Sequence, residues 1–399
     1  MPVYLDHAAT TPMRPEAIAA YAEALGVVGN PSSIHSQGQH ARRLLEDARE
    51  TVAGTLGCDP VEVVFTSGGT EAVNLAVKGL FWARNAEGRR RPVVLVPGGE
   101  HHATVDTVEW LVRHEGAVER ELPLDGEGRI RLADTREALV RNGEEAALLT
   151  FLWVNNEVGT VQPVRALADA AAAAGVPVHV DAVAAYGHLP IDFASLGVSA
   201  LSVSAHKIGG PVGIGALVLS RSAQVVPLIH GGGQQRQVRS GTQDVAAAVS
   251  FAVAARAAHT ELSAESARLS ALRDRLIGGI RAAVPEAVLS GPPEGHPDRS
   301  PSNVHFTFPG AQGDSLLFLL DMAGISVSTG SACQAGIPEP SHVLIAMGRD
   351  EQDARSALRF TLGSTSTEAD VDALLAALPG AYRSAARAGL ADRTPRLGR

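Results

Sequence analysis

Through its first two-thirds the chain alternates strand-like runs with stretches of helical periodicity, and this alternation limits the folds open to it. Residues 61–66, 92–96, 147–154, 177–180, 200–204 and 215–219 read as buried strands. Between them, residues 42–56, 71–84, 104–114 and 164–174 carry apolar side chains at helical spacing. Strands separated by helices favour parallel pairing, so the pattern predicts an α/β domain with a mostly parallel sheet. Ligands of such sheets bind where strands end and helices begin.

The remainder is organised differently. Residues 246–284 read as one long helix, and a Gly/Pro-rich loop follows through Pro301. After it come strand-like 303–308, helical 314–322, strand-like 325–328 and a last helix from Glu368. A length of 399 residues suits two domains rather than one small core. We expect a large α/β domain over 15–260 and a smaller α+β domain from 1–14 plus 261–399. The arginine-bearing tail, 383–399, is expected to be partly disordered.

Composition excludes several classes. A formal charge of −9 gives no basis for bulk nucleic-acid affinity. No apolar stretch is long enough to span a bilayer, and residues 1–6 do not open a signal peptide, so no membrane partner is expected. Two cysteines, Cys58 and Cys333, allow neither a disulfide framework nor a four-cysteine metal site, and a reducing, cytoplasmic setting fits best.

The chain has two lysines, Lys78 and Lys207, against thirty-two arginines. Where arginine serves for positive charge, a retained lysine points to a task that needs a deprotonated amine. Lys207 follows the 200–204 strand in Ser204-Ala205-His206-Lys207 and precedes a glycine-rich stretch. Schiff-base chemistry with pyridoxal phosphate is the leading reason for such a lysine; the plainer alternative is a solvated loop residue. Asp181 ends the preceding strand, where a carboxylate can pair with a protonated pyridine nitrogen or simply cap a turn. Thr66-Ser67-Gly68-Gly69-Thr70-Glu71 joins a strand to a helix, a phosphate-binding geometry that a capped tight turn also explains. His101, in Glu100-His101-His102, is placed to stack on an aromatic cofactor and relay protons, or is a surface histidine. Cys333 sits among small residues in Gly330-Ser331-Ala332-Cys333, which suits an accessible nucleophilic thiol; Cys58, at a helix end, reads as inert. Arg359 interrupts an alternating strand-like run, suited to gripping a carboxylate or to a structural ion pair.

In order, these segments resemble the cysteine desulfurases, pyridoxal-phosphate enzymes of the class V aminotransferase group. The resemblance covers nearly the whole chain. It starts at Tyr4-Leu5-Asp6-His7-Ala8-Ala9-Thr10-Thr11-Pro12 and Asn30-Pro31-Ser32-Ser33-Ile34-His35. It continues through Asn155-Asn156-Glu157-Val158-Gly159-Thr160, His206-Lys207 and Arg239-Ser240-Gly241-Thr242, and ends at Cys333 and Arg359. It implies PLP-dependent fold type I, with a seven-stranded central sheet and a smaller α+β domain carrying the cysteine loop. It implies that Lys207 binds pyridoxal 5'-phosphate covalently, that Asp181 faces the ring nitrogen and that His101 stacks on the ring. Gly69, Thr70, Ser204 and His206 would hold the phosphate, with Thr242 reaching in from a second subunit of a homodimer. Asn156 would contact the cofactor; Asn30 and Arg359 would bind the substrate carboxylate. The substrate would be L-cysteine, and Cys333 would take its sulfur as a persulfide for a sulfur-acceptor protein, a cluster scaffold or a tRNA-thiolating enzyme. The length of the Cys333 loop resembles the branch serving iron–sulfur cluster assembly and tRNA thiolation.

One position departs. The family usually reads Asp-Ala-x-Gln after the strand-end aspartate, and here Asp181-Ala182-Val183-Ala184 stands instead. Ala184 cannot supply the hydrogen bond that glutamine gives the cofactor's phenolic oxygen, which bears on rate more than on cofactor binding. A selenocysteine lyase or an aminotransferase on this scaffold, and a non-catalytic sulfur-relay protein, are the rival readings. Cys333 argues against a plain aminotransferase, and Lys207, His101 and Cys333 together argue against a relay protein.

Overall fold

The structure is a computed structural model and describes residues 2–86, 88–330 and 339–391. Seven strands make the central sheet: β1 (Val63–Thr66), β2 (Val93–Pro97), β3 (Val118–Leu122), β4 (Ala146–Leu152), β5 (Val178–Asp181), β6 (Ala200–Ser204) and β7 (Gly215–Leu219). Their spatial order is β1-β7-β6-β5-β4-β2-β3. Pairing is parallel throughout except at β7, which runs against both β1 and β6.

Strand periodicity divides the core. Val63 and Phe65 turn to one face of β1, where they join Leu95, Phe151 and Phe251. Val64 turns to the other, against Val94, Leu148 and helix α1 (Gly69–Arg84). Burial on both faces explains why these strands read as apolar runs rather than as alternation. The exception is β3, Val-Glu-Arg-Glu-Leu, whose three central residues are exposed. It lies at the sheet edge, where charges discourage pairing with another chain, and that charge hides it from a reading by hydropathy. The helices Pro15–Ala24 and Leu132–Asn142 also escape that reading.

At the ligand-binding edge of the sheet, register sets residues level. Thr66 and Ser204 both stand opposite Gly215, and Asp181 stands opposite Ser202. After β2 the chain enters helix α2 (His102–Glu115) at His101. Four segments carrying candidate site residues therefore emerge at one edge.

A 39-residue helix, α3 (Val245–Ala283), ties this body to the rest. Ala247 to Ala258 pack in the central core, and Leu269 to Ile280 in a second core. The second core holds Leu5, Phe306, Phe308, Phe360 and the buried face of helix α4 (Glu368–Ala391). Its sheet is antiparallel, in the order β10 (Ala357–Thr361), β9 (Asn303–Thr307), β8 (Val288–Leu289). The N-terminus joins it: Val3–Tyr4 pairs with Ile325–Ser326, and Asp6 bridges Thr361.

Of the tail expected to be partly disordered, residues 383–391 are helical, and 392–399 lie outside the described residues. Helix α4 runs on through Ala391, because Leu378, Ala381 and Ala385 recur at helical spacing and bury in the second core. Among the described residues no helix is long and apolar enough to cross a membrane.

Phe251 is fully buried and meets Phe65 and Tyr186 edge-on at 6.4 and 6.3 Å. Truncation of Phe251→Ala should lower unfolding stability by about 3–5 kcal/mol, read as a shift of the denaturant midpoint of the cofactor-free protein.

Candidate active site

The strand ends open onto a cavity of about 450 Å³. Gly69, Thr70, His101, Asn156, Asp181, Ser204, His206, Lys207 and Arg359 all line it. Nine of the residues named from sequence thus meet, although they span almost 300 positions. Asn30 and Thr242 do not line it. Asn30 is exposed and uses Oδ1 to accept from the Ser32 N–H at 2.9 Å. Thr242 is exposed. Nearby in sequence, Arg239 pairs with Glu71 at 2.9 Å, and Glu71 also accepts from the Ser67 N–H. Cys333 lies outside the described residues.

Lys207 stands in a one-turn helix after β6, where Gly209 at φ +81° lets the chain reverse. Its Nζ donates to the carbonyls of Ala8 and, at 2.8 Å, Ala9. Burial and the nearby Arg359 guanidinium push its pKa down to about 8; Asp181 and Asp6 oppose them. At pH 7 about a tenth of the amine is therefore unprotonated, against well under a hundredth for an ordinary lysine. Asp181 accepts from the Val183 N–H at 2.9 Å, yet burial raises its carboxyl to about 6. A cation placed beside it would restore the charged form.

His101 caps helix α2, its Nδ1 accepting from the Ala103 N–H at 3.0 Å. Desolvation and the charge of Lys207 lower its pKa to about 4, although the ring is open to the cavity. A neutral ring whose Nδ1 accepts carries its proton on Nε2.

The glycine turn meets the demands of a phosphate. Gly68 and Gly69 begin helix α1, whose first N–H groups have no partner within the helix. At Gly69 a Cβ would lie 2.8 Å from the Val183 side chain, so the turn takes no larger residue without displacement. The Ser204 hydroxyl is buried without a hydrogen-bond partner, and His206 lies on the same wall. An unsatisfied buried hydroxyl beside free N–H groups, a strand-end carboxylate and a desolvated amine together fit pyridoxal phosphate. Ala184 lines the cavity and offers no side-chain polar atom.

Two parts of the site escape a reading from sequence. Asp6 pairs with Arg359 at 2.8 Å, and Arg359 also donates to the Asn156 carbonyl at 2.9 Å. The Ala8 and Ala9 acceptors are backbone atoms and carry no signature in residue type. The only signal was the position of all three in the N-terminal segment that carries the family resemblance. The flanks of the Cys333 segment also converge: Gly330 and His342 line the cavity, Ser341 donates to Glu157, and His342 Nε2 lies 2.7 Å from the Glu100 carbonyl.

A family model, aminotransferase class-V, matches residues 3–374. The chain belongs to that pyridoxal-phosphate-dependent enzyme family. Within it, the chain's relatives are cysteine desulfurases. It is 54% identical to the "IscS-like cysteine desulfurase" of Mycobacterium tuberculosis, across 97% of this chain and 98% of the relative. Among solved structures, a "NifS-like protein" superposes with a TM-score of 0.86 at 34% identity, covering 95% of this chain and 99% of that one. "SspA in complex with cysteine" gives 0.76 at 32% identity, covering 90% and 98%.

With Lys78 the other lysine, amine labelling mapped by peptide mass spectrometry can resolve Lys207. In cofactor-free protein its labelling should be half-maximal near pH 8, against about 10 for an ordinary lysine. Arg359→Leu should move that midpoint upward, because removing the guanidinium relieves the repulsion that disfavours the ammonium form.

Proposed function

We propose that this chain is a cysteine desulfurase that converts L-cysteine to L-alanine and takes the sulfur onto Cys333 as a persulfide. The observation that carries the reading is the meeting, in one cavity, of a desolvated lysine, a strand-end aspartate, a phosphate cradle and both flanks of the Cys333 segment. Three peptide links separate Cys333 from Gly330, a span of at most about 11 Å. When bound, pyridoxal phosphate supplies the electron sink that stabilises negative charge at the substrate Cα.

The protein's own groups do the rest. Gly69, Thr70, Ser204 and His206 would hold the phosphate, with Thr242 of a second subunit completing the cradle in a homodimer. Asp181 would pair with the ring nitrogen, and that cation would keep the carboxyl ionised. His101 and Asn156 would hold the ring. Arg359 releases Asp6 to grip the substrate carboxylate; Asn30, outside the cavity, takes no part in that grip. Lys207, as the free amine, removes the Cα proton and later returns a proton to carbon. The Cys333 thiolate attacks the substrate sulfur; the S–S bond forms as the substrate C–S bond breaks, and carbon takes a proton to give alanine. One thiol and one cysteine thus become one persulfide and one alanine, with no outside oxidant. A sulfur-acceptor protein, a cluster scaffold or a tRNA-thiolating enzyme in the cytoplasm, then collects the sulfur.

Incubation with L-cysteine and a thiol reductant should release alanine and sulfide in equal amounts. Cys333→Ser should keep the yellow cofactor yet form no protein persulfide, detected by mass spectrometry of the Cys333 peptide. Wild-type protein with verified cofactor that releases neither product would reject the assignment.

A further inference from the structure

The small sheet turns its faces to different surroundings. Val304, Phe306, Leu358 and Phe360 enter the second core, so His305 and Arg359, between them on β9 and β10, face the other way. The two stand directly opposite each other in register. The Arg359 Nη atoms are committed to Asp6 and the Asn156 carbonyl, but its Nε is buried without a partner. His305 is fully buried, and neither of its ring nitrogens has a partner. Native interiors seldom leave such groups unpaired, and an apolar residue would fill this place without the cost of burying an imidazole. Burial and the charges of Arg359 and Arg299 keep the ring neutral. A neutral imidazole holds one acceptor nitrogen, the complement of a guanidinium N–H.

We infer that His305 is a positioning residue whose ring nitrogen accepts the Arg359 Nε–H when the guanidinium turns from Asp6 to an incoming carboxylate. Fixing Nε leaves both Nη groups free to form a two-pronged grip on that carboxylate. The inference rests on the reading of Arg359 as the carboxylate-binding group, and the experiment separates the two.

Cofactor-loaded His305→Leu and His305→Gln are compared with wild type. With L-cysteine, the leucine variant should raise KM about tenfold while kcat stays within about twofold, and glutamine, which retains an acceptor, should recover most of the loss. Absorbance titration of the bound cofactor should show weaker binding of L-alanine but unchanged binding of cysteamine, which has no carboxylate. Equal effects on both ligands, no effect on either, or failure of glutamine to recover affinity would overturn the inference. If the leucine variant does not fold, His305→Met carries the same expectation. Arg359→Leu is the control. Unchanged L-alanine binding in that variant would sink the reading of Arg359, whereas weakened binding there without weakening in His305→Leu would sink the inference alone.

Discussion

A primary amine buried beside a guanidinium is unfavourable unless other groups hold it, and the site is arranged around that constraint. Lys207 has two backbone carbonyls within hydrogen-bond reach and two carboxylates, Asp181 and Asp6, that partly offset Arg359. None of the four comes from its own loop. Asp181 ends the neighbouring strand, while Asp6, Ala8 and Ala9 arrive with a segment paired to the small sheet. Docking the two cores therefore sets the basicity of the amine, and any loosening of that docking would move its pKa toward the ordinary lysine value.

The central sheet contributes precision of a different kind. Because β7 runs against both neighbours, Thr66 and Ser204 stand level across Gly215, which brings the glycine turn alongside the end of β6. The outer edge of β1 is closed by the side-chain amide of Gln235, which accepts from the Phe65 N–H and donates to its carbonyl, both at 2.8 Å. Holding Gln235, Arg236 and Gln237 there requires positive φ at three successive non-glycine residues. That backbone conformation is costly for side-chain-bearing residues and persists only where surrounding contacts fix it.

How much was legible from sequence follows from where each interaction is written. Residues 200–204 and 215–219 were read to the residue because each is a strand buried on both faces and bounded by turn formers. Lys207, Asp181 and the glycine turn were readable because their chemistry is specific and each closely follows such a strand. The edge strand β3 was hidden by its charges, and the end of α4 by an arginine content that resembles a solvated tail. The Asp6–Arg359 pair joins positions 353 residues apart, and no local pattern announces it. His305 passed as one more strand residue, because only register sets it against Arg359. The glutamine fold of residues 235–237 lacks the glycine that left-handed turns usually display.

Arg359 has two effects that would conflict in a static site. Its charge lowers the pKa of Lys207, which favours the free amine in the cofactor-free site. The same charge weakens Lys207 as a base, because a base must accept a proton and become cationic. A carboxylate held against the guanidinium limits the conflict, because it offsets part of the nearby positive charge, and Asp6 does so in the resting site. Release of Asp6 must be matched by the arrival of a second carboxylate, or Lys207 would face an unpaired buried cation at high cost. On this reading, substrate selection and base strength are set by one exchange of carboxylates on one arginine. That also gives a physical reason for the site's arginine to sit on the small sheet, within reach of both the N-terminal segment and the lysine of the large one.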